Sequence, residues 1–152
     1  MRMSMLTKLK YAGLSTADLI HVYILFIRSC LEYCCVLFHS SLTKAQSDML
    51  ERVQRVCLKV IYSSAYVDYN TALLESSLCS LASRREKRCN TFIDRVVKHP
   101  QHSKLFPLSE KFSNNTLNIR NPEKYKVNFA QSARYQNSFV PWAQRRLNVN
   151  NS

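Results

Sequence analysis

The chain has 152 residues, a formal net charge of +12 and 46% hydrophobic residues. That is enough apolar material for one modest domain and too much for a disordered chain. Its one glycine, Gly13, excludes a P-loop or dinucleotide-binding turn, where the backbone must approach phosphate more closely than a side chain permits.

Residues 1–14, MRMSMLTKLKYAGL, read as a lead-in. They contain no unbroken apolar run of signal-peptide length and no small-x-small cleavage site. The six cysteines are therefore expected to be reduced, in an intracellular chain, nuclear or cytoplasmic and not secreted.

A helix is expected from Ser15, with Asp18 three residues on as a capping-box variant. Leu19, Tyr23, Phe26, Ile27, Leu31, Cys34, Cys35 and Phe38 recur at spacings of three and four, which predicts a broad buried stripe ending near His39. Arg28 and Glu32 stand one turn apart within it. An exposed pair at that spacing contributes only about 0.2–0.5 kcal/mol. Against an apolar stripe they predict a partly buried pair or hydrogen-bonded network with a structural role. A membrane span over residues 19–38 is disfavoured by His21, Arg28 and Glu32, since a central arginine alone costs roughly 2.5–3.5 kcal/mol. Cys30, Cys34, His39 and Cys57 invite a zinc reading, but no C-x-x-C occurs, and packing as small hydrophobes is the better account.

Thr43 opens a second helix, with Gln46 completing a capping box. Met49, Leu50, Val53, Val56, Cys57, Val60 and Ile61 form its expected dry stripe, leaving Arg52, Arg55 and Lys59 on a basic face. The short connection favours an antiparallel hairpin. NTALLESSL predicts a brief helical turn. SLASRREKRCNTFIDRVVKHP predicts a third long helix, with Ser80 as cap, Leu81, Cys89, Phe92, Ile93, Val96 and Val97 inward, and Pro100 at its end. Arg84, Arg85, Lys87 and Arg88 fall in its first half, where the macrodipole disfavours cations. That placement hints at an external anion, although Glu86 and Asp94 partly compensate.

Beyond residue 100 the periodicity fades. TLNIR predicts a short strand and SFVPWAQRRL a last turn of helix. Residues 101–152 carry eight basic and two acidic side chains, a balance suited to a polyanion. Phe129, Tyr135, Phe139 and Trp142 alternate with Lys124, Lys126, Arg134, Arg145 and Arg146. Such interleaving suits single-stranded nucleic acid, and equally the docking of a tail onto helices, which is the preferred reading.

No acid/base pair, nucleophile signature or paired carboxylate for two-metal chemistry stands out among the four histidines and ten carboxylates. No catalytic residue, metal, cofactor or small-molecule substrate is therefore expected, and no membrane. The fold class should be mainly α: three to four helices over residues 15–100, with an irregular basic tail over 101–152 packing on that core.

Four segments, in order, carry a resemblance: LKYAGLSTADLIHVYILFIRSCLEYCCVLFHSSLT, QSDMLERVQRVCLKVIY, SLASRREKRCNTFIDRVVKHPQH and ARYQNSFVPWAQRRLN. Within them stand Ile27, Arg28, Leu31 to Tyr33 and His39; Leu50, Glu51, Val53, Gln54, Ile61 and Tyr62; Arg84 and Arg85; and Arg134, Asn137 to Phe139, Pro141, Ala143 and Asn148. Together these resemble the region downstream of the catalytic palm in jockey-like non-LTR retrotransposon reverse transcriptase polyproteins. Ser29 departs from a frequent proline, and Ser83 from a usual acidic residue. The family's aromatic-Ala-Asp-Asp metal motif has no counterpart here. The resemblance thus implies a non-catalytic fragment of an RNA-directed DNA polymerase that contacts template or primer RNA or DNA, or an upstream polymerase domain. Expected nucleic-acid contacts are Arg52, Arg55, Lys59, Arg84, Arg85, Lys87, Arg88, Arg134, Arg145 and Arg146. The alternatives are a helical interaction or scaffold remnant, or a functionless pseudogene product, without nucleic-acid binding.

Overall fold

A computed structural model describes residues 2–109, 124–127, 129 and 131–150. The fold is mainly α: 74% helical, with no strand among the described residues. The expected strand TLNIR, residues 116–120, lies outside them.

Helix α1, Arg2–Tyr11, ends where Gly13 takes a φ of +88°. Left-handed backbone costs other residues roughly 1–2 kcal/mol. The Gly13 N–H donates to Lys10 O at 3.0 Å and the Leu14 N–H to Leu9 O at 3.3 Å, the bond pair that closes a Schellman end. Residues 1–14, expected as a lead-in, therefore carry a capped helix. Its Leu6 is buried in the core. A ten-residue helix leans on tertiary packing more than on its own propensity, which is why local sequence gave little notice of it.

Ser15 caps α2, Thr16–Val22, its Oγ accepting from the Asp18 N–H at 3.2 Å. The chain continues through a π-helical turn, Tyr23–Arg28, into α3, Ser29–Leu31. Here the expectation of one helix to His39 needs correction. Cys34 has a φ of +51°, which no right-handed helix accommodates, so the chain breaks and restarts as α4, Cys35–Phe38, and a 3-10 turn, His39–Ser41. Tyr23 and Ile27 remain in the core, but Phe26 and Cys34, assigned inward by spacing, are exposed.

Helix α5, Lys44–Tyr62, has both halves of its capping box: Thr43 Oγ1 accepts from the Gln46 N–H, and Gln46 Oε1 from the Thr43 N–H. Its buried line is Gln54, Cys57, Leu58 and Ile61. Met49, expected inside, is exposed. Asp68 caps α6, Tyr69–Glu75. Ser80 Oγ accepts from the Ser83 N–H at the start of α7, Leu81–Lys98. The last helices are α8, Ala133–Gln136, and α9, Phe139–Asn150, the latter longer than the single turn expected there.

The chain divides into two units, one formed by Met1–Cys35 with Leu42–Glu86, the other by Val36–Ser41 with Lys87–Ser152. The division falls within α7. In the first unit, Leu6, Leu19, Tyr23, Ile27, Cys57, Leu58, Ile61 and Ala72 form one core, with α1, α2 and α6 all packed on α5. In the second, Ile93 and Val96 pack with Phe106, Tyr125, Ala143 and Leu147. There the Asn148 side-chain amide bonds both ways with the Tyr125 backbone, at 2.9 and 3.0 Å. Leu108 and Tyr125 form an isolated antiparallel bridge.

Candidate nucleic-acid interface

Behind the outer face of α5 lies a polar network whose bond directions follow from one carboxylate. Glu51 Oε1 accepts from the Leu81 N–H at 3.2 Å and Oε2 from the Ala82 N–H at 3.3 Å, placing negative charge at the α7 N-terminus, where the helix dipole favours it. An ionised carboxylate only accepts, so the Tyr69 hydroxyl donates to Glu51 through a short hydrogen bond. The Tyr69 oxygen accepts in turn from Gln54 Nε2 at 3.1 Å, and the same nitrogen donates to Cys79 O at 3.0 Å. Gln54 Oε1 in turn accepts from the Tyr23 hydroxyl at 2.7 Å. Gln54 is fully buried with both amide hydrogens and its oxygen engaged. Burial, and then the neighbouring Glu51, raise the Tyr69 pKa; burial also raises that of Tyr23.

Two of the expected phosphate contacts are drawn into the same unit. Arg84 donates from Nε and Nη2 to the two oxygens of Glu32, at 2.5 and 3.2 Å. Glu32 is 3% exposed, and this pairing raises the Arg84 pKa. The sequence predicts a partly buried pair or a hydrogen-bonded network around Arg28 and Glu32; Glu32 is buried and forms an ion pair with Arg84 on α7. Arg85 is 1% exposed. Its Nη2 donates to Ser47 Oγ at 2.7 Å, while Nε and Nη1 meet no acceptor among the described residues. Neither arginine is presented as an open phosphate contact: Arg85 is buried, and Arg84 is held by Glu32.

The other group of cations stays outside. Arg52, Arg55 and Lys59 are exposed along one face of α5. Among the described residues none of the three makes an ion pair. Two are steadied by aromatic rings instead: the Arg55 guanidinium lies 5.0 Å from the Tyr69 ring centroid, and Lys59 Nζ 5.5 Å from that of Tyr66. Arg52, Arg55 and Lys59 border an open cleft of about 440 Å³ together with Asp48. A second cleft, of about 530 Å³, adjoins it through Val56 and Lys59 and is bordered by Thr7, Lys10, Tyr11 and Ser63. Lys10, Tyr11, Tyr66 and Tyr69 were not nominated from sequence. The signal available for Tyr66 and Tyr69 was their position around Asp68, the α6 cap.

In the second unit, Lys87, Arg88 and Arg134 are exposed. Arg145 Nη2 donates to Gln136 O, and Arg146 lies 6.0 Å from the Trp142 centroid. Phe139 and Trp142 are half-buried and dock within this unit: Phe139 makes an edge contact with Phe92, and Trp142 one with His39. Phe129 is 87% exposed and Tyr135 45%. Docking therefore describes two of the four aromatics, not all of them.

None of the six cysteines is in a disulfide; Cys35, Cys57 and Cys89 are buried. Burial pushes the Cys57 thiol up from 9.0 to about 11. Among the described residues no three His, Cys, Asp or Glu side chains converge as metal ligands, and no single helix is long and apolar enough to cross a membrane. Comparison with family models, with curated proteins and with solved structures gives no match.

Proposed function

We propose that the chain is a nucleic-acid-binding helical module, without polymerase chemistry of its own, of the kind that follows the palm in a retrotransposon reverse transcriptase. One observation carries this reading. Arg52, Arg55 and Lys59 are exposed on one helix face, beside an open cleft, with no ion pair among the described residues. Cations left unneutralised by the protein are available to displace counterions from phosphate, the principal source of nucleic-acid affinity. The ordered resemblance across the chain supplies the biological setting, with an upstream polymerase domain as a second partner. Lys87, Arg88 and Arg134 add exposed positive charge.

The test is fluorescence anisotropy of labelled RNA and DNA across a salt series. Affinity should fall steeply as salt rises. The triple substitution Arg52→Ala, Arg55→Ala, Lys59→Ala should flatten the slope of log K against log salt by about 2 for a single strand. A triple variant with unchanged slope overturns the assignment to this face. No nucleotide incorporation on a primed RNA template is expected; incorporation above a no-protein control overturns the non-catalytic reading.

A rival reading is a protein-interaction module. It is favoured by the exposed side chains of Leu25, Phe26 and Tyr33 in the first unit, an apolar set of the type that marks contact surfaces. Absence of nucleic-acid binding at about 50 mM salt, where phosphate contacts are strong, decides for this rival.

A further inference from the structure

We infer that the α5 face takes a single strand of RNA or DNA rather than a duplex, with Tyr11 as a base-stacking platform at one end. The inference rests on the nucleic-acid reading of that face and specifies its ligand.

The two clefts adjoin at Val56 and Lys59 and together make up the proposed groove. Arg52, Arg55 and Lys59 border its first part. Positions 52 and 59 lie about 10 Å apart along the helix axis, enough for about two to three backbone phosphates. Lys10 borders the second part. Its Nζ donates to Ile61 O at 2.5 Å, which ties the ammonium to the last turn of α5 and leaves two of its three N–H groups for a ligand. Asp48, at the far end of the groove, repels phosphate and biases the strand toward Lys10.

Tyr11 lines the second cleft with Lys10 and is 89% exposed, so its ring contributes almost nothing to the core. Its backbone is nonetheless fixed, in the last turn of α1 just before the Schellman end at Gly13. A ring presented on a rigid stop beside a cationic groove is the arrangement that single-strand binders use: cations track the backbone and an aromatic face stacks a base. In a duplex the bases are paired and stacked on one another, leaving no free face for such a ring. Val56 and Val60, which line the second cleft, give apolar surface to the sugar or base beside it.

The experiment uses the full chain at about 50 mM salt and three labelled probes. They are a strand of about twelve thymidines, its duplex with the complementary strand, and an abasic strand of equal length and charge. The thymidine strand should bind about tenfold tighter than the duplex and than the abasic strand. Tyr11→Ala and Tyr11→Leu should each remove the preference for the thymidine strand and leave abasic binding unchanged, whereas Tyr11→Phe should keep it. Equal binding of duplex and single strand, or an undiminished thymidine affinity in Tyr11→Ala, overturns the inference. In that outcome the basic-face reading still stands, provided the Arg52, Arg55 and Lys59 triple variant weakens every probe. If no probe binds the wild-type chain, both fall.

Discussion

Arg84 grips Glu32 across a sequence separation of 52 residues, its Nε and Nη2 each reaching one oxygen of the carboxylate. Glu32 is the C-cap of α3 and is buried, while the arginine side chain is 29% exposed. Removing one member of a buried pair strands the other charge and typically costs 3–5 kcal/mol. The partial exposure of Arg84 puts this case at or below the low end. Arg84→Ala should therefore lower the urea midpoint by the equivalent of about 2–3 kcal/mol, and Arg52→Ala by well under 1 kcal/mol, as an exposed residue without an ion pair should. Equal losses in the two variants would contradict the pairing.

Arg85 should behave in the opposite way. Its guanidinium is buried, with one described hydrogen bond and two nitrogens unsatisfied. Replacing a poorly satisfied buried charge with an apolar side chain of similar volume is often neutral or stabilising, by about 1–4 kcal/mol. Arg85→Met is expected to hold or raise the melting temperature and to leave oligonucleotide affinity unchanged. A fall in affinity at constant stability would restore Arg85 as a phosphate contact.

The network through Gln54 is open to the same kind of test. Gln54→Leu keeps approximate volume but leaves the Tyr23 hydroxyl, the Cys79 carbonyl and one Tyr69 lone pair without their partner. An unsatisfied buried polar group costs about 1–3 kcal/mol, and chemical denaturation should register at least that. Glu51→Gln keeps one acceptor oxygen but turns an NH2 toward one of the two α7 N–H groups and removes the charge, so a comparable loss is expected, of about 1–3 kcal/mol.

Two backbone positions with the same conformation call for opposite changes. Gly13 and Ser77 both have positive φ, at +88° and +53°, and both close Schellman ends: Ser77 N–H donates to Leu74 O and Leu78 N–H to Leu73 O. No atom lies within 4 Å of a Cβ added at Gly13, so Gly13→Ala should cost only the left-handed strain, about 1 kcal/mol. Ser77→Gly should stabilise by several tenths of a kcal/mol, glycine's extra unfolded-state freedom offsetting part of the relief. Thermal melts of the two variants should shift in opposite directions.

Stability should decline at alkaline pH. The folded pKa of Cys57 is raised, so folding favours its protonated form. That contribution is fully present below the unfolded value of 9.0 and is lost as pH rises toward about 11. Tyr23 and Tyr69 are also raised, chiefly by burial, and act with the same sign. Urea midpoints should hold between pH 7 and about 8.5 and then fall. Cys57→Ala should be less stable overall, from the lost packing, and should show a shallower decline.

Capping chemistry made much of this fold legible. Ser15, Thr43 and Ser80 each cap the helix that their sequence context announced, and a cap is a local event within four residues. The basic face of α5 was legible for the same reason, since side-chain spacing along one helix fixes which residues share a side. The misjudged positions depend on distant chain. Glu32 could not be matched to Arg84, nor Gln54 recognised as a hub, because their partners lie 52 and 15 to 31 residues away. The break at Cys34 had no glycine, proline or asparagine to signal it. Lys10 and Tyr11 became candidates only when α1 was seen beside the last turns of α5.

The ring that supports Arg55 belongs to Tyr69, whose hydroxyl is bonded to Glu51 and Gln54. The orientation of a surface cation is thus anchored in the interior, and under the proposed function freezing it would demand less entropy on binding a phosphate. Folding and the proposed recognition then draw on one set of atoms. A substitution deep beneath α5 that touches no ligand should surface as faster dissociation, before any loss of helix content is visible.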